Sequence, residues 1–409
     1  MRETTDPPPI RSGSVWRVPG MSALLAMSAL GFSGYALLLP TAPLWARHGG
    51  ADEAGAGLVN AVLMLATVLV QTVVPWALRT LGWRVTMIAG MLLLGAPSAM
   101  LALSDALWAV LAVSAVRGAG FAVLTVCGAS AVAHLVAAPR RGRAIGAYGL
   151  SIALPQFLLT PTSAWLAESV DFRVVFALGC LPVIAAPFAA LLGARIDRRG
   201  EEDEEESSDG PVGPGRLILA LAVPSLVLLA ITTPGGAIIS FAPQFGYGAL
   251  TVVIGLFAFT GATAFTRWLA GGFADQFGPH RFIAPLLVVG AAGLAVAAWA
   301  VLAPDDRPIA LVVGVTLVGA AYGALQNLTL VVSFAAVPNR LRNVASTTWN
   351  IGFDAGTGLG SLVVGFIAAG TSFAVGLATT AAFCLVVAVL YAVATARRRR
   401  RARAEPPAF

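Results

Sequence analysis

Three ionisable side chains stand alone inside long apolar runs, and their types limit the chemistry open to them. Asp354 lies about ten residues into the run 344–368, within Trp349-Asn350-Ile351-Gly352-Phe353-Asp354-Ala355-Gly356-Thr357-Gly358-Leu359-Gly360. In a helix that places its carboxylate ~15 Å deep. A charge at the centre of a bilayer costs at least about 2.5–3.5 kcal/mol on insertion scales, so one is kept chiefly when it is paired or used. Asp354 can exchange a proton as its surroundings alternate, or it can be the structural partner of an arginine. Arg117, in Arg117-Gly118-Ala119-Gly120, is comparably deep in the run 107–137. Its planar guanidinium can clamp an anionic solute through two parallel hydrogen bonds, or tie helices together. Arg267 precedes Gly271 and Asp275 by four and eight residues, so the three share one face if the helix continues.

Uncharged groups add to this inventory. Tyr35, Gln326, Asn327, Trp349 and Asn350 can line a polar cleft, or can hydrogen-bond a neighbouring helix at a typical ~0.6 kcal/mol each. Pro234-Gly235-Gly236 interrupts an apolar run and reads as a hinge or as backbone opened toward a cavity. His48, His134 and His280 fall near the ends of runs and far apart, while Cys127, Cys180 and Cys384 fall within apolar runs as small hydrophobes. No H-E-x-x-H, G-x-S-x-G or phosphate-binding loop occurs. Catalytic residues, metal ligands, a disulfide framework and cofactors are therefore not expected.

The elements that must position these groups follow from composition. The 409 residues are 58% hydrophobic and only 11% charged, with a mean hydropathy of +0.83. A soluble domain carries roughly 25% charge. The chain is thus expected in the lipid bilayer, as an all-α protein. Runs long enough to cross ~30 Å of hydrocarbon fall at about 18–44, 57–78, 85–104, 107–137, 145–167, 174–194, 217–242, 249–272, 282–303, 309–337, 344–368 and 373–396.

Arginine supplies all 26 basic residues, and 21 of them fall on one side of this twelve-span plan, against three (Arg47, Arg173, Arg307) on the other. Positive charge collects in cytoplasmic loops, so both termini are expected in the cytoplasm, and the basic balance needs no nucleic acid to explain it. Glu201-Glu202-Asp203-Glu204-Glu205-Glu206 heads a self-repelling stretch with a Gly/Pro-rich end. It reads as a disordered linker. The expected organisation is a cytoplasmic tail (1–17), a six-helix bundle (18–196), the acidic linker (197–216), a second six-helix bundle (217–396) and a basic tail (397–409).

The halves repeat in order. Thr41-Ala42-Pro43-Leu44-Trp45 returns as Phe241-Ala242-Pro243-Gln244-Phe245, Leu81-Gly82-Trp83-Arg84 as Phe277-Gly278-Pro279-His280-Arg281, and Pro139-Arg140-Arg141-Gly142-Arg143 as Pro338-Asn339-Arg340-Leu341-Arg342. Offsets of about 196 to 200 residues argue for a duplicated bundle. The stretch Gly271 to Arg281, expected as a tight turn at the membrane surface, resembles a signature of the major facilitator superfamily, G-x-x-x-D-R-x-G-R-R, found between the second and third helices of each half. Gly271, Asp275, Gly278 and Arg281 match, and Gln276 stands where a base is usual. In the first half Pro75 and Arg79 replace the Gly and the Asp. Arg117-Gly118-Ala119-Gly120 is similar to the fourth-helix R-x-x-x-G pattern, without its usual Gln. The fifth helix keeps only Pro161 of the G-P-x-x-G-G of drug/proton antiporters.

That resemblance implies two facing bundles with a central cleft, the first and tenth helices lining it. It implies proton coupling or substrate contact for Arg117, and a cytoplasmic gate built from Arg267, Gly271, Asp275, Gly278 and Arg281. Asp354 and Arg117 are the candidates for proton coupling, and Arg117, Tyr35, Gln326, Asn327, Trp349 and Asn350 for the substrate cavity. A mostly apolar cleft suits an amphipathic solute. The expected function is therefore alternating-access transport in the cell membrane, as proton-coupled efflux of a small drug or metabolite, by a monomer whose partners are the solute, protons and lipid. A proton-coupled importer or facilitator of an organic anion or sugar is the alternative, and a receptor or membrane enzyme a further one.

Overall fold

The computed structural model describes residues 18–136, 141–200, 214–338 and 341–404. The expected N-terminal tail, residues 201–213 of the acidic linker and residues 405–409 lie outside them. Helices α1 (Met21–His48), α2 (Glu53–Gln71), α3 (Val74–Gly95), α4 (Leu107–Leu135), α5 (Arg141–Ser169), α6 (Phe172–Gly179) and α7 (Leu181–Gly200) form the first half. Helices α8 (Pro214–Phe241), α9 (Ala249–Phe277), α10 (His280–Val301), α11 (Pro308–Ala335), α12 (Arg342–Gly370) and α13 (Phe373–Ala404) form the second. Among the described residues, eleven stretches are long and apolar enough to cross a membrane. Helix α5, 29 residues long with Pro155 and Pro161 inside it, brings the crossings to twelve and is the fifth in chain order. One end of the molecule carries Val18, Gly200, Pro214 and Ala404, and is called the terminal end below. The other carries the short loops after α1, α5, α8, α10 and α12.

Two expectations are corrected. Gly271 to Phe277 is not a turn, because α9 continues to Phe277 and the chain turns only at Gly278, where φ is 78° and ψ is 142°. Backbone polar groups near hydrocarbon must bond internally, so a helix runs on through glycines wherever it can. Gly278 then takes a left-handed conformation that other residues rarely adopt. Gly82, 196 residues earlier, repeats this with φ 77° inside α3, where the second crossing becomes the third. Second, Pro234-Gly235-Gly236 does not break its helix, since α8 passes through it. Helix α13 itself runs on through the first basic residues after 397, to Ala404.

Proline leaves unbonded carbonyls that neighbouring helices use. Pro234 cannot donate to the carbonyl of Ala230, four residues back. The Cys384 thiol donates to that oxygen at 3.0 Å. Pro43 likewise frees the carbonyl of Leu39, which accepts from Asn60 Nδ2 at 2.7 Å.

Small residues bring helices together. Thr263 Oγ1 donates to the carbonyl of Gly319 at 3.1 Å and Thr266 Oγ1 to that of Ala320 at 2.8 Å, drawing α9 onto α11. A Cβ on Gly323 would overlap the carbonyl of Thr263. Interfaces between membrane helices favour such residues because dispersion at short range replaces the hydrophobic effect. Gly323→Val therefore forces two backbones apart and destabilises the second half by about 1–3 kcal/mol or more. The expected result is a lower thermal midpoint for the detergent-solubilised protein, read by loss of its monodisperse size-exclusion peak on heating.

Candidate site at the bundle interface

Among the described residues, two polar links cross between the halves, and both start on α2. Asn60 and Gln71 are 11 residues apart, close to three turns, so they share a face. Asn60 Nδ2 donates to Ser240 Oγ of α8 at 2.8 Å, and Ser240 Oγ lies 2.6 Å from Ser361 Oγ of α12. Gln71 Nε2 donates to Asp354 Oδ2 of α12 at 2.7 Å and lies 3.3 Å from Thr125 Oγ1 of α4. Asn60, Gln71, Ser240, Ser361 and Asp354 are each buried.

Backbone packing follows the same line. A Cβ on Gly57 would overlap the carbonyl of Ser361, and one on Gly358 would stand 2.7 Å from Met64 Cβ. Phe157 of α5 meets Phe257 of α9 at 5.4 Å between ring centroids. These contacts run from mid-depth to the end opposite the termini. Nearer the terminal end, Gly146 and Gly149 of α5 and Gly272 of α9 have no atom within 4 Å of the place a Cβ would take. The contacts between the halves thus reach from the end opposite the termini to mid-depth, with Asp354 at the apex of this seam.

Aromatic groups surround that apex from both sides. Tyr35 of α1 stacks on Phe121 with centroids 4.0 Å apart and planes 5° apart. Tyr322 of α11 packs on Phe259 at 5.5 Å and Phe353 at 6.0 Å. Both phenols lie within electrostatic reach of Asp354; Tyr35 also has Arg117 in reach, and Tyr322 has Arg267.

The remaining candidates take varied places. Arg117 is 1% exposed, and donates from Nε to the carbonyl of Leu94 at 3.3 Å and from Nη2 to that of Gly34 at 3.1 Å. Leu94 stands where α3 passes into the 3-10 segment Ala96–Leu103, so the ladder there is interrupted. Arg117 thus joins α4 to α1 and α3, away from Asp354, and the two are not brought together. Trp349 Nε1 donates to Thr329 Oγ1 at 3.0 Å. Asn350 Nδ2 bonds back to the Ser346 carbonyl of its own helix at 3.0 Å.

Among the gate candidates, Arg267 Nη1 donates to Gln326 Oε1 at 3.0 Å, and Asn327 Nδ2 to the Arg267 carbonyl at 3.1 Å. Gly271 faces the Asn327 amide, 3.6 Å from where its Cβ would be. The Arg281 guanidinium lies over Phe277 and Phe282 at 5.5 and 5.6 Å. The side chain of Asp275 lies outside the described residues. Sequence reasoning passed over Asn60, Gln71, Ser240 and Ser361. The signal for the first two was available: amides in an apolar run, three turns apart. Among the described residues no cluster of metal-ligating groups forms.

Comparison with known proteins agrees with this architecture. The sequence matches the family model described as Major Facilitator Superfamily over residues 23–347 and again over 223–409. No curated protein matches in sequence. Among solved structures, a bacterial homologue of the human lysosomal transporter Spinster, inward-facing and unoccupied, superposes with a TM-score of 0.70 at 17% identity, covering 93% of this chain and 97% of that one. Its occupied inward-facing form gives 0.67 at 17% identity, covering 94% and 97%. A point mutant of the nucleoside transporter NupG gives 0.68 at 12% identity, covering 91% and 99%.

Proposed function

The chain belongs to the major facilitator superfamily, and we propose that it exports a small amphipathic organic solute across the cell membrane in exchange for protons, as a monomer working by alternating access. One observation carries this reading: the Asp354 carboxylate of one half is bonded to the Gln71 amide of the other at 2.7 Å. A charge-assisted bond of this kind is roughly twice as strong as a neutral one. Protonating Asp354 neutralises the acceptor, weakens the link, and lets the halves part at the end they now close. Loss of the proton restores the link and the closure.

The arginine distribution supports placing the terminal end, with both chain termini, in the cytoplasm. On this reading the cleft opens inward, the state in which the Spinster homologue of similar fold was solved. The aromatic surroundings of Asp354, with Tyr35, Phe121, Tyr322 and Phe353 and few polar groups, favour an amphipathic solute over a sugar that needs many hydrogen bonds. Arg117, within reach of Tyr35, contributes by holding the first half rigid around the apex. The acidic stretch before α8 acts as the tether between the halves.

The test is a screen of amphipathic solutes in cells with and without the protein. Cells that have it accumulate less of the exported solute, and an uncoupler erases the difference. A difference that survives collapse of the proton gradient removes the coupling, and uptake above the control reverses the direction.

A further inference from the structure

Arg267 lies about ten residues inside α9 from Phe277, ~15 Å along the axis, yet its side chain is exposed. A guanidinium at that depth is kept where it faces a water-filled space. Among the described residues no carboxylate pairs with it.

The neighbouring amides have fixed orientations. An arginine side chain has no acceptor, so the Gln326 atom 3.0 Å from Arg267 Nη1 must be its oxygen. The amide nitrogen is then left over, buried and with no partner, on a side chain that is 2% exposed. A buried donor without an acceptor costs about 1–3 kcal/mol, which a ligand can return. Asn327 is fixed in the same way, because its Nδ2 donates to the Arg267 carbonyl, and its Oδ1 is also without a partner. The seam where α9 packs on α11 thus holds an arginine with free N–H groups, an orphan amide N–H beside it and one orphan acceptor.

We infer that Arg267 and Gln326 form an anion-binding subsite, which takes the carboxylate, sulfonate or phosphate of an amphipathic molecule while Asn327 Oδ1 accepts from a neighbouring O–H or N–H of it. The planar fork of Arg267 presents parallel donors to such a group. Thr263 and Thr266, bonded to α11, hold α9 against it. That the occupant is cargo rests on the transport reading; the subsite itself does not. Gln326 and Asn327 thereby acquire a chemical reason to stand in an apolar run.

The test compares two probes that differ by one sulfonate: 1-anilinonaphthalene-8-sulfonate and its uncharged parent N-phenyl-1-naphthylamine. Each is titrated by fluorescence onto the full-length protein in phosphatidylcholine nanodiscs and corrected with empty discs. The wild type prefers the sulfonate. Arg267→Gln lowers affinity for it by about ten- to a hundredfold, the range of a lost charge-assisted pair, and leaves the parent unchanged. Gln326→Leu gives a smaller loss of the same kind and carries the test if the arginine variant does not fold. Parent binding at the wild-type level is the folding control. Equal sulfonate affinity in the wild type and both variants, or no preference in the wild type, overturns the subsite. Repeating the titration in phosphatidylglycerol discs identifies the occupant: loss of sulfonate binding there makes it a lipid headgroup, and retention makes it a soluble anion. Arg267-dependent binding without solute flux keeps the subsite and removes the transport reading. Proton-driven flux with no sulfonate preference does the reverse.

Discussion

Asp354→Asn abolishes solute movement driven by a pH gradient in proteoliposomes and leaves equilibrative exchange in place. The substitution is nearly isosteric, so the packing of α12 against α2 is kept. A neutral amide meets Gln71 through the weaker bond that the protonated carboxyl would make in place of the present 2.7 Å link, so the seam can open and reclose without a proton. What disappears is the ability to bind a proton on one side of the membrane and release it on the other. Gradient-driven flux falls at least about a hundredfold, since the step that links the proton to bundle movement is gone. Exchange of labelled for unlabelled solute at equal pH continues, because it needs only rocking. Gradient-driven flux at the wild-type rate in the variant removes Asp354 as the proton carrier.

Gly57→Val is the second large effect, and it acts on closure. Gly57 is the point where α2 touches the backbone of α12, with the Ser361 carbonyl in the place of its missing Cβ. Two halves packed this closely cannot admit a branched side chain without separating. Because the contact lies between the halves and not within one, each half still folds. The variant is therefore held open at the end away from the termini, and transport is lost by more than about tenfold. The check uses Ser240→Cys, at a position now 1% exposed, in a background with Cys127, Cys180 and Cys384 replaced. A membrane-impermeant thiol reagent leaves this cysteine unlabelled while Gly57 is intact, and labels it once Gly57→Val is added. Unchanged labelling together with unchanged transport means that the Gly57 contact does not govern closure.

The fold was legible because the bilayer reduces the choices. Apolar runs of some twenty residues must be helices, and Gly82 and Gly278, which share a positive φ at matching places, sit in stretches that already read as repeats. The depth of Asp354 was legible too, from its distance to the end of its run. Its partner was not. Gln71 is 283 residues away, and nothing local to either residue says which faces of α2 and α12 oppose each other across the halves. Arg117 shows the same limit: a guanidinium can satisfy itself on backbone carbonyls, and sequence does not display which carbonyls an irregular segment leaves available. Glycine misled in one place, at Gly271, because it suggests a turn in water but permits close helix packing in lipid.

Arg117 is fastened to carbonyls of its own half, and no acid among the described residues cancels its charge. It therefore travels with that half as a fixed positive charge within the thickness of the membrane, while the charge on Asp354 comes and goes. A full elementary charge crossing 100 mV is worth about 2.3 kcal/mol, and a partial displacement a proportionate fraction. Each half-step of the proposed cycle should accordingly depend on voltage, so that the potential across the membrane, and not acidity alone, sets how fast the empty and loaded forms interconvert.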